Sequence, residues 1–122
     1  MNPSEKIKYI SNWIKTYVDE MPSTAESLVI GISGGIDSSV SSTLSAMTGL
    51  KTIVLSMPIK QKENQHDLSL KHQEWLVKNF RNVEAHTINL DKLFESFSST
   101  LSKFDNEHGF ANSRARLRMT TL

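Results

Sequence analysis

The segment Leu28–Ser39 constrains this chain more than any other, because it forces a strand, a glycine turn and a helix start into one short stretch. Leu28 to Ile32 is apolar and rich in branched side chains, the composition of a short buried parallel strand. Gly34 and Gly35 follow; they free the backbone and leave out Cβ atoms that would hold a ligand at a distance. After Asp37 the chain turns amphipathic, with Val40, Leu44 and Met47 at helical spacing. A strand feeding a glycine turn and then a helix aims free N–H groups and the positive dipole end at one point. Ser33, Ser38 and Ser39 add hydroxyl donors there. An anion belongs at that point.

The loop is not a Walker A motif, because no lysine follows its glycines, and Gly31, Gly34 and Gly35 do not make the Gly-x-Gly-x-x-Gly dinucleotide fingerprint. Asp37 would repel a phosphate unless a cation lay between them. It therefore reads as a Mg²⁺ ligand, a hard carboxylate oxygen sharing a hard cation with phosphate oxygens. The alternative is that Asp37 only complements the helix dipole, for about 0.3–1 kcal/mol. That leaves the glycine pair and the serines unexplained.

A length of 122 residues is enough for one domain with one core. With 38% apolar residues and a formal charge of +1, the chain is not a polybasic nucleic-acid binder. Cysteine is absent, so thiolate metal sites and disulfides are excluded, and a cytoplasmic location is expected. No apolar run resembles a signal peptide or reaches membrane-spanning length. His66, His72, His86 and His108 show no zinc spacing, and His72 reads as a core or boundary residue. Trp13 and Trp75 read as packing residues. Lys60 and Lys62 could reach phosphate, although solvated surface lysines are the simpler reading.

Helices and strands alternate along the chain. Ser4 is expected to cap a first helix carrying the stripe Ile7, Ile10, Ile14, Tyr17 and Val18. Pro22 and Ser23 end it. The loop helix runs from about Asp37 to Met47, with Gly49 as its stop. Lys51–Met57 is a second strand closed by Pro58, and Ile59–Gln65 a polar loop. A third helix places Leu68, His72, Trp75 and Leu76 on one face, and Asn82–Ile88 is a third strand. Leu90, Leu93, Phe94, Phe97, Leu101 and Phe104 mark a fourth helix. Asp105–Gly109 is a polar break, and a last helix begins near Phe110 or Ala111.

This alternation predicts an α/β fold with a parallel sheet and right-handed crossovers, in the order 3-2-1. In doubly wound folds the ligand crevice lies between strand 1 and a strand added on its other side. Leu122 falls inside a helix before any such strand. Residues 1–122 therefore read as the N-terminal portion of a longer nucleotide-binding domain.

A second signal lies in Asn112-Ser113-Arg114-Ala115-Arg116-Leu117-Arg118-Met119. Wound as a helix, Ala111, Ala115, Met119 and Leu122 form a narrow apolar stripe. Asn112 and Arg116 lie along one flank, Arg114 and Arg118 along the other. Such arginines can clamp carboxylates or phosphates with forked hydrogen bonds, or they can form a solvated basic face.

Ser33-Gly34-Gly35-Ile36-Asp37-Ser38 resembles the Ser-Gly-Gly-x-Asp-Ser signature of the PP-loop ATP pyrophosphatases, the adenine-nucleotide α-hydrolase-like group. The segment Asn112–Met119 is similar to the Asn-x-x-Ala-Arg-x-Arg-Met segment of NAD synthetases, which belong to that group. Together the two motifs resemble the ammonia-dependent NAD synthetase family. The resemblance implies a Rossmann-like PP-loop fold. It also implies a ligase that uses ATP to adenylate the nicotinate carboxylate of deamido-NAD, releasing pyrophosphate, after which ammonia displaces AMP to give NAD. On the same basis Gly31, Ile32, Ser33, Gly34, Gly35, Ile36, Asp37 and Ser38 bind ATP, Asp37 holds Mg²⁺ and Arg116 contacts deamido-NAD. No nucleophilic side chain is required, and a homodimer is implied.

The sequence departs from that family in two places. Gly109 is separated from Asn112 by Phe110 and Ala111, where the family has glycine immediately before the asparagine. Met57 stands before Pro58, where many members carry an arginine that meets ATP, so that contact is not carried over. Gln65 falls near a glutamine that contacts ATP in the family. The competing readings are another PP-loop adenylating enzyme, GMP synthetase-like or tRNA-modifying, and a non-catalytic nucleotide-binding module. The tRNA case predicts basic patches or zinc-binding cysteines, and the sequence has neither.

Overall fold

Asn2, not Ser4, caps the first helix. Its side chain accepts from the Glu5 N–H while Glu5 reaches back to the Asn2 N–H, and Pro3 fills the position where no N–H is needed. The computed structural model describes residues 1–59, 63–104 and 106–122, so the expectations for Lys60, Lys62 and Asp105 lie outside the described residues. The elements are α1 (Pro3–Asp19), β1 (Leu28–Gly31), α2 (Ile36–Met47), β2 (Thr52–Ser56), α3 (Glu63–Asn79), β3 (Val83–Thr87), α4 (Asp91–Thr100), a 3₁₀ turn (Ser102–Phe104) and α5 (Glu107–Thr121).

The described strands form one parallel sheet in the order β1-β2-β3. Leu28 lies opposite Thr52, and Thr52 opposite Val83. This is the expected order, and it leaves β1 at an edge. Val29 is accordingly exposed, so β1 is half-covered where full burial was expected. β2 is the buried centre. Its alternation sends Val54 to one face, with Ile32, Ala46, Leu76 and Val83. Leu55 and Met57 go to the other, with Ile59, Leu90 and Phe94, against which Ile53, Phe110 and Leu117 pack. Helices thus cover both faces, as a parallel sheet requires.

The buried helix faces differ from those the apolar periodicity marked. On α2, Ser42, Ser45 and Ala46 are buried, while Val40 is 49% exposed. The serines can be buried because each satisfies its own hydroxyl, Ser42 on the Ser39 carbonyl and Ser45 on the Ser41 carbonyl. Small side chains let the helix lie close on the sheet. On α3 the buried row is Ser69, Gln73 and Leu76, and Leu68 and Trp75 are exposed. Ser69 pairs with Ser56 at 3.0 Å, and the Gln73 amide donates to the Val54 and His86 carbonyls. The α1 stripe also stays open, with Ile7, Ile10 and Tyr17 exposed and Ser11 the buried residue. Leu90, which precedes α4, and Phe94 on it are buried, while Leu93 and Phe97 of α4 and Phe104 of the 3₁₀ turn are exposed.

α5 starts earlier than the sequence suggested. Asn106 caps it by accepting from the Gly109 N–H at 2.9 Å, so Gly109 belongs to the first helical turn. Phe110 and Leu117 turn toward the core. Ala115, Met119 and Leu122, expected as the packing stripe, line a cavity instead.

Candidate functional site: the loop between the first strand and second helix

The ladder carries on one residue past β1, where the Ile32 N–H donates to the Leu55 carbonyl at 2.8 Å. The chain then breaks away through Ser33 and Gly34. Gly34 has φ +94°, and a Cβ there would lie 2.5 Å from the Gln65 carbonyl oxygen. Its need for glycine thus comes from the backbone at the start of α3 pressing on the loop, with ligand approach a secondary matter.

Serine hydroxyls lock the loop from within. The Ser33 N–H donates to Ser38 Oγ at 3.1 Å, and the two hydroxyls are 3.1 Å apart. The Gly35 N–H donates to Ser33 Oγ at 3.2 Å. The Gly35 carbonyl accepts from the Ser38 and Ser39 hydroxyls at 3.3 and 2.8 Å. Gly35 is the N-cap of α2, and no side chain caps that helix. Its first-turn N–H groups therefore face outward at the positive end of the dipole, the arrangement that holds a phosphate.

Beside the loop lies a cavity of about 410 Å³ lined by Gly31, Ile32, Ser33, Gly35, Met57, Gln65 and, from α5, Ala115, Arg118, Met119 and Leu122. Gln65 enters it from the first turn of α3. Gly34 and Ser38 lie within the loop's own packing and hydrogen bonds, and Ile36 and Asp37 are exposed on the first turn of α2. Among the described residues no group of three or more His, Asp or Glu side chains could hold a metal. A single carboxylate beside a bound phosphate would suit Mg²⁺, which takes one or two carboxylates and fills its shell with substrate oxygens and water.

The structure divides the three arginines of α5. Arg116 is exposed on the outer side of the helix and does not line the cavity. Arg114 lies over the Phe94 ring, 5.5 Å from its centroid. Arg118 reaches into the cavity, and its Nε donates to the Met57 carbonyl at 2.9 Å. Burial, and then the nearby Arg114 charge, hold the Arg118 pKa below its ordinary value. Reading the helix as paired flanks missed this. Positions 115, 118, 119 and 122 follow the spacing of a single helix face, and that signal was available.

Behind the loop, His72 ties α3 to α2. Its Nε2 is 2.9 Å from Ser42 Oγ, and its ring stacks on Trp75 at 5.8 Å. Burial lowers the His72 pKa, while a hydrogen bond to the Ser39 backbone acts the other way. Among the described residues, no helix is long and apolar enough to cross a membrane.

The NAD synthase family model matches residues 6–122. An ammonia-dependent NAD synthetase of Carboxydothermus hydrogenoformans is 30% identical over the whole chain, which covers 49% of that protein. Among solved structures, an NMN synthetase from Francisella tularensis superposes with a TM-score of 0.86 at 34% identity, over all of this chain and 49% of that one. An ammonia-dependent NAD synthetase from Campylobacter jejuni gives 0.83 at 26% identity, over all of this chain and 51% of that one. The chain spans between 39% and 51% of the length of the curated relatives it matches. The expected Rossmann-like PP-loop fold is the fold of these neighbours, and the glycine-serine loop and the arginine helix both lie inside the matched region. This chain belongs to the NAD synthase family.

Proposed function

We propose that the protein carrying this chain joins ammonia to the nicotinate carboxylate of deamido-NAD at the expense of ATP. The observation that carries the reading is the uncapped start of α2 beside a serine-lined loop, in a chain matched to this family from residue 6 to residue 122. A carboxylate oxygen is a poor leaving group, and adenylation replaces it with AMP. The substrate carboxylate attacks the α-phosphorus of ATP, the bond to the bridging oxygen breaks, and pyrophosphate departs with that electron pair. Ammonia then adds to the acyl carbon and AMP leaves, while a proton is lost from nitrogen.

The chain's part in this is orientation and charge stabilisation. Gly31, Ile32, Ser33, Gly34, Gly35, Ile36, Asp37 and Ser38 would surround the phosphates with N–H groups and hydroxyls. Those hydroxyls are now bonded to one another, so a nucleotide would replace contacts inside the loop. Asp37 would hold Mg²⁺, which supplies positive charge against the phosphate oxygens. Arg116, free on its exposed flank, would meet deamido-NAD. A homodimer belongs to the same proposal. Ile7 of α1 lines an open apolar hollow with Val40 and Met47 of α2, and Ile10, Trp13 and Tyr17 are exposed on α1 as well, apolar surface that a second copy would cover.

A second reading has NMN as the product. The F. tularensis NMN synthetase matches at higher identity and TM-score than the C. jejuni NAD synthetase. One assay separates the two. The protein is incubated with ATP, Mg²⁺ and ammonium, with either deamido-NAD or nicotinate mononucleotide, and AMP and the amide product are measured. Deamido-NAD should give NAD and AMP in equal amounts, and Asp37→Ala should abolish both. Amidation of the mononucleotide alone would move the assignment to NMN. No amide from either substrate, or full activity in Asp37→Ala, would remove the proposal.

A further inference from the structure

Arg118 is the one cationic side chain among the described residues that line the cavity beside the loop. Of its five N–H donors, one is used, by Nε on the Met57 carbonyl. The ion pair recorded among the described residues joins His86 to Glu84 on β3, so no described carboxylate neutralises Arg118. Arg114 lies close enough to repel it. A partly buried guanidinium with a like-charged neighbour and no counter-ion among the described side chains is costly, and an entering anion would offset that cost. Its fixed fork also matches phosphate oxygens two at a time.

The bond to Met57 sets the direction of that fork. Met57 follows the end of β2 and packs across Gly31, where a Cβ would lie 3.0 Å from its Cε. Arg118 is therefore anchored on the strand next to β1, whose end begins the loop. Ser33, Gly35 and the uncapped start of α2 form the opposite, anion-seeking wall, and Ile32, Ala115, Met119 and Leu122 supply the apolar remainder. We infer that Arg118 binds a phosphate group of the nucleotide from the α5 side, held in aim by the Met57 carbonyl. This rests on the reading above only in taking the occupant to be a polyphosphate.

The rival role for Arg118 is a strut that merely braces β2 against α5. Inorganic pyrophosphate with Mg²⁺ is titrated calorimetrically into the complete protein, wild type, Arg118→Lys and Arg118→Met. A phosphate contact predicts the affinity order wild type, then lysine, then methionine, with methionine about ten- to a hundredfold weaker. Lysine restores charge but lacks the fork that can bond Met57 and grip phosphate together. A strut predicts equal losses for lysine and methionine, and either that result or unchanged affinity in Arg118→Met overturns the inference. If Arg118→Met does not fold, Arg118→Gln takes its place in the same ordering. Wild-type protein that binds no pyrophosphate also overturns it. Arg118-dependent pyrophosphate binding without amidation would remove the proposed reaction and leave this contact standing.

Discussion

The two walls of the cavity are built in opposite ways. The β1–α2 loop is stitched by bonds between near neighbours, with Ser33, Gly35, Ser38 and Ser39 satisfying one another across five residues or fewer. α5 has its own local cap, Asn106 accepting from the Gly109 N–H, but that bond does not seat it against the cavity. It is held by distant partners: Arg118 on the Met57 carbonyl 61 residues away, Arg114 on Phe94, and Phe110 and Leu117 against the second core cluster. A wall made of local bonds can be recognised in a short string of letters. One made of packing shows its face in the spacing of its letters, but its partners appear only once the chain has folded.

Three substitutions separate the walls, in falling order of effect. Phe94→Ala removes a side chain that is 2% exposed and carries Phe110 edge-on at 6.2 Å. It should cost about 3–5 kcal/mol in urea denaturation, with the loss centred on α4 and α5. A loss below about 1 kcal/mol would mean that the α5 wall does not hang on this core. Gly34→Ala strikes the loop wall through its positive φ and its overlap with the Gln65 carbonyl. It should cost about 3 kcal/mol at most, while Gly35→Ala, with φ −88°, should stay within about 0.5 kcal/mol. Equal costs at the two glycines would refute the assignment of the strain to Gly34.

The smallest effect concerns the support behind the loop. Burial holds the His72 pKa down, so as pH falls the unfolded chain takes up this proton first. The stability that neutral His72 contributes is thus present above about pH 6.5 and is lost as pH falls through the lower, folded value. His72→Gln should flatten the fall in melting temperature between pH 7.5 and 5.5, by less than about 4 °C. A parallel pH profile in the variant would show that another group sets the acid sensitivity.

The same division between local and distant bonds governs how much of the molecule was legible in the sequence. The three parallel strands, their order and the glycine turn from β1 into α2 could be read because branched runs and glycine pairs report on backbone conformation directly. The buried helix faces could not. Val40, Leu44 and Met47 mark an apolar stripe on α2, but the sheet takes Ser42, Ser45 and Ala46, since close approach rewards small side chains that satisfy their own hydroxyls. Gln73 likewise reads as polar surface until two strand carbonyls are placed above its amide. In the arginine helix, three similar letters acquired three surroundings, which only the positions of Phe94 and Met57 could assign.

Asn82 adds a consequence in time. Its amide donates to the carbonyls of Ala46 and Leu50, at the far end of the helix that the β1–α2 loop begins. Those partners lie 36 and 32 residues earlier. During synthesis the loop and its helix leave the ribosome first, yet the helix stays untied until the beginning of β3 follows. Contacts of such separation form late. The β1–α2 loop, local as its own bonds are, should therefore become rigid only after the third strand has docked, and a nascent chain stalled before Asn82 should bind the proposed nucleotide poorly.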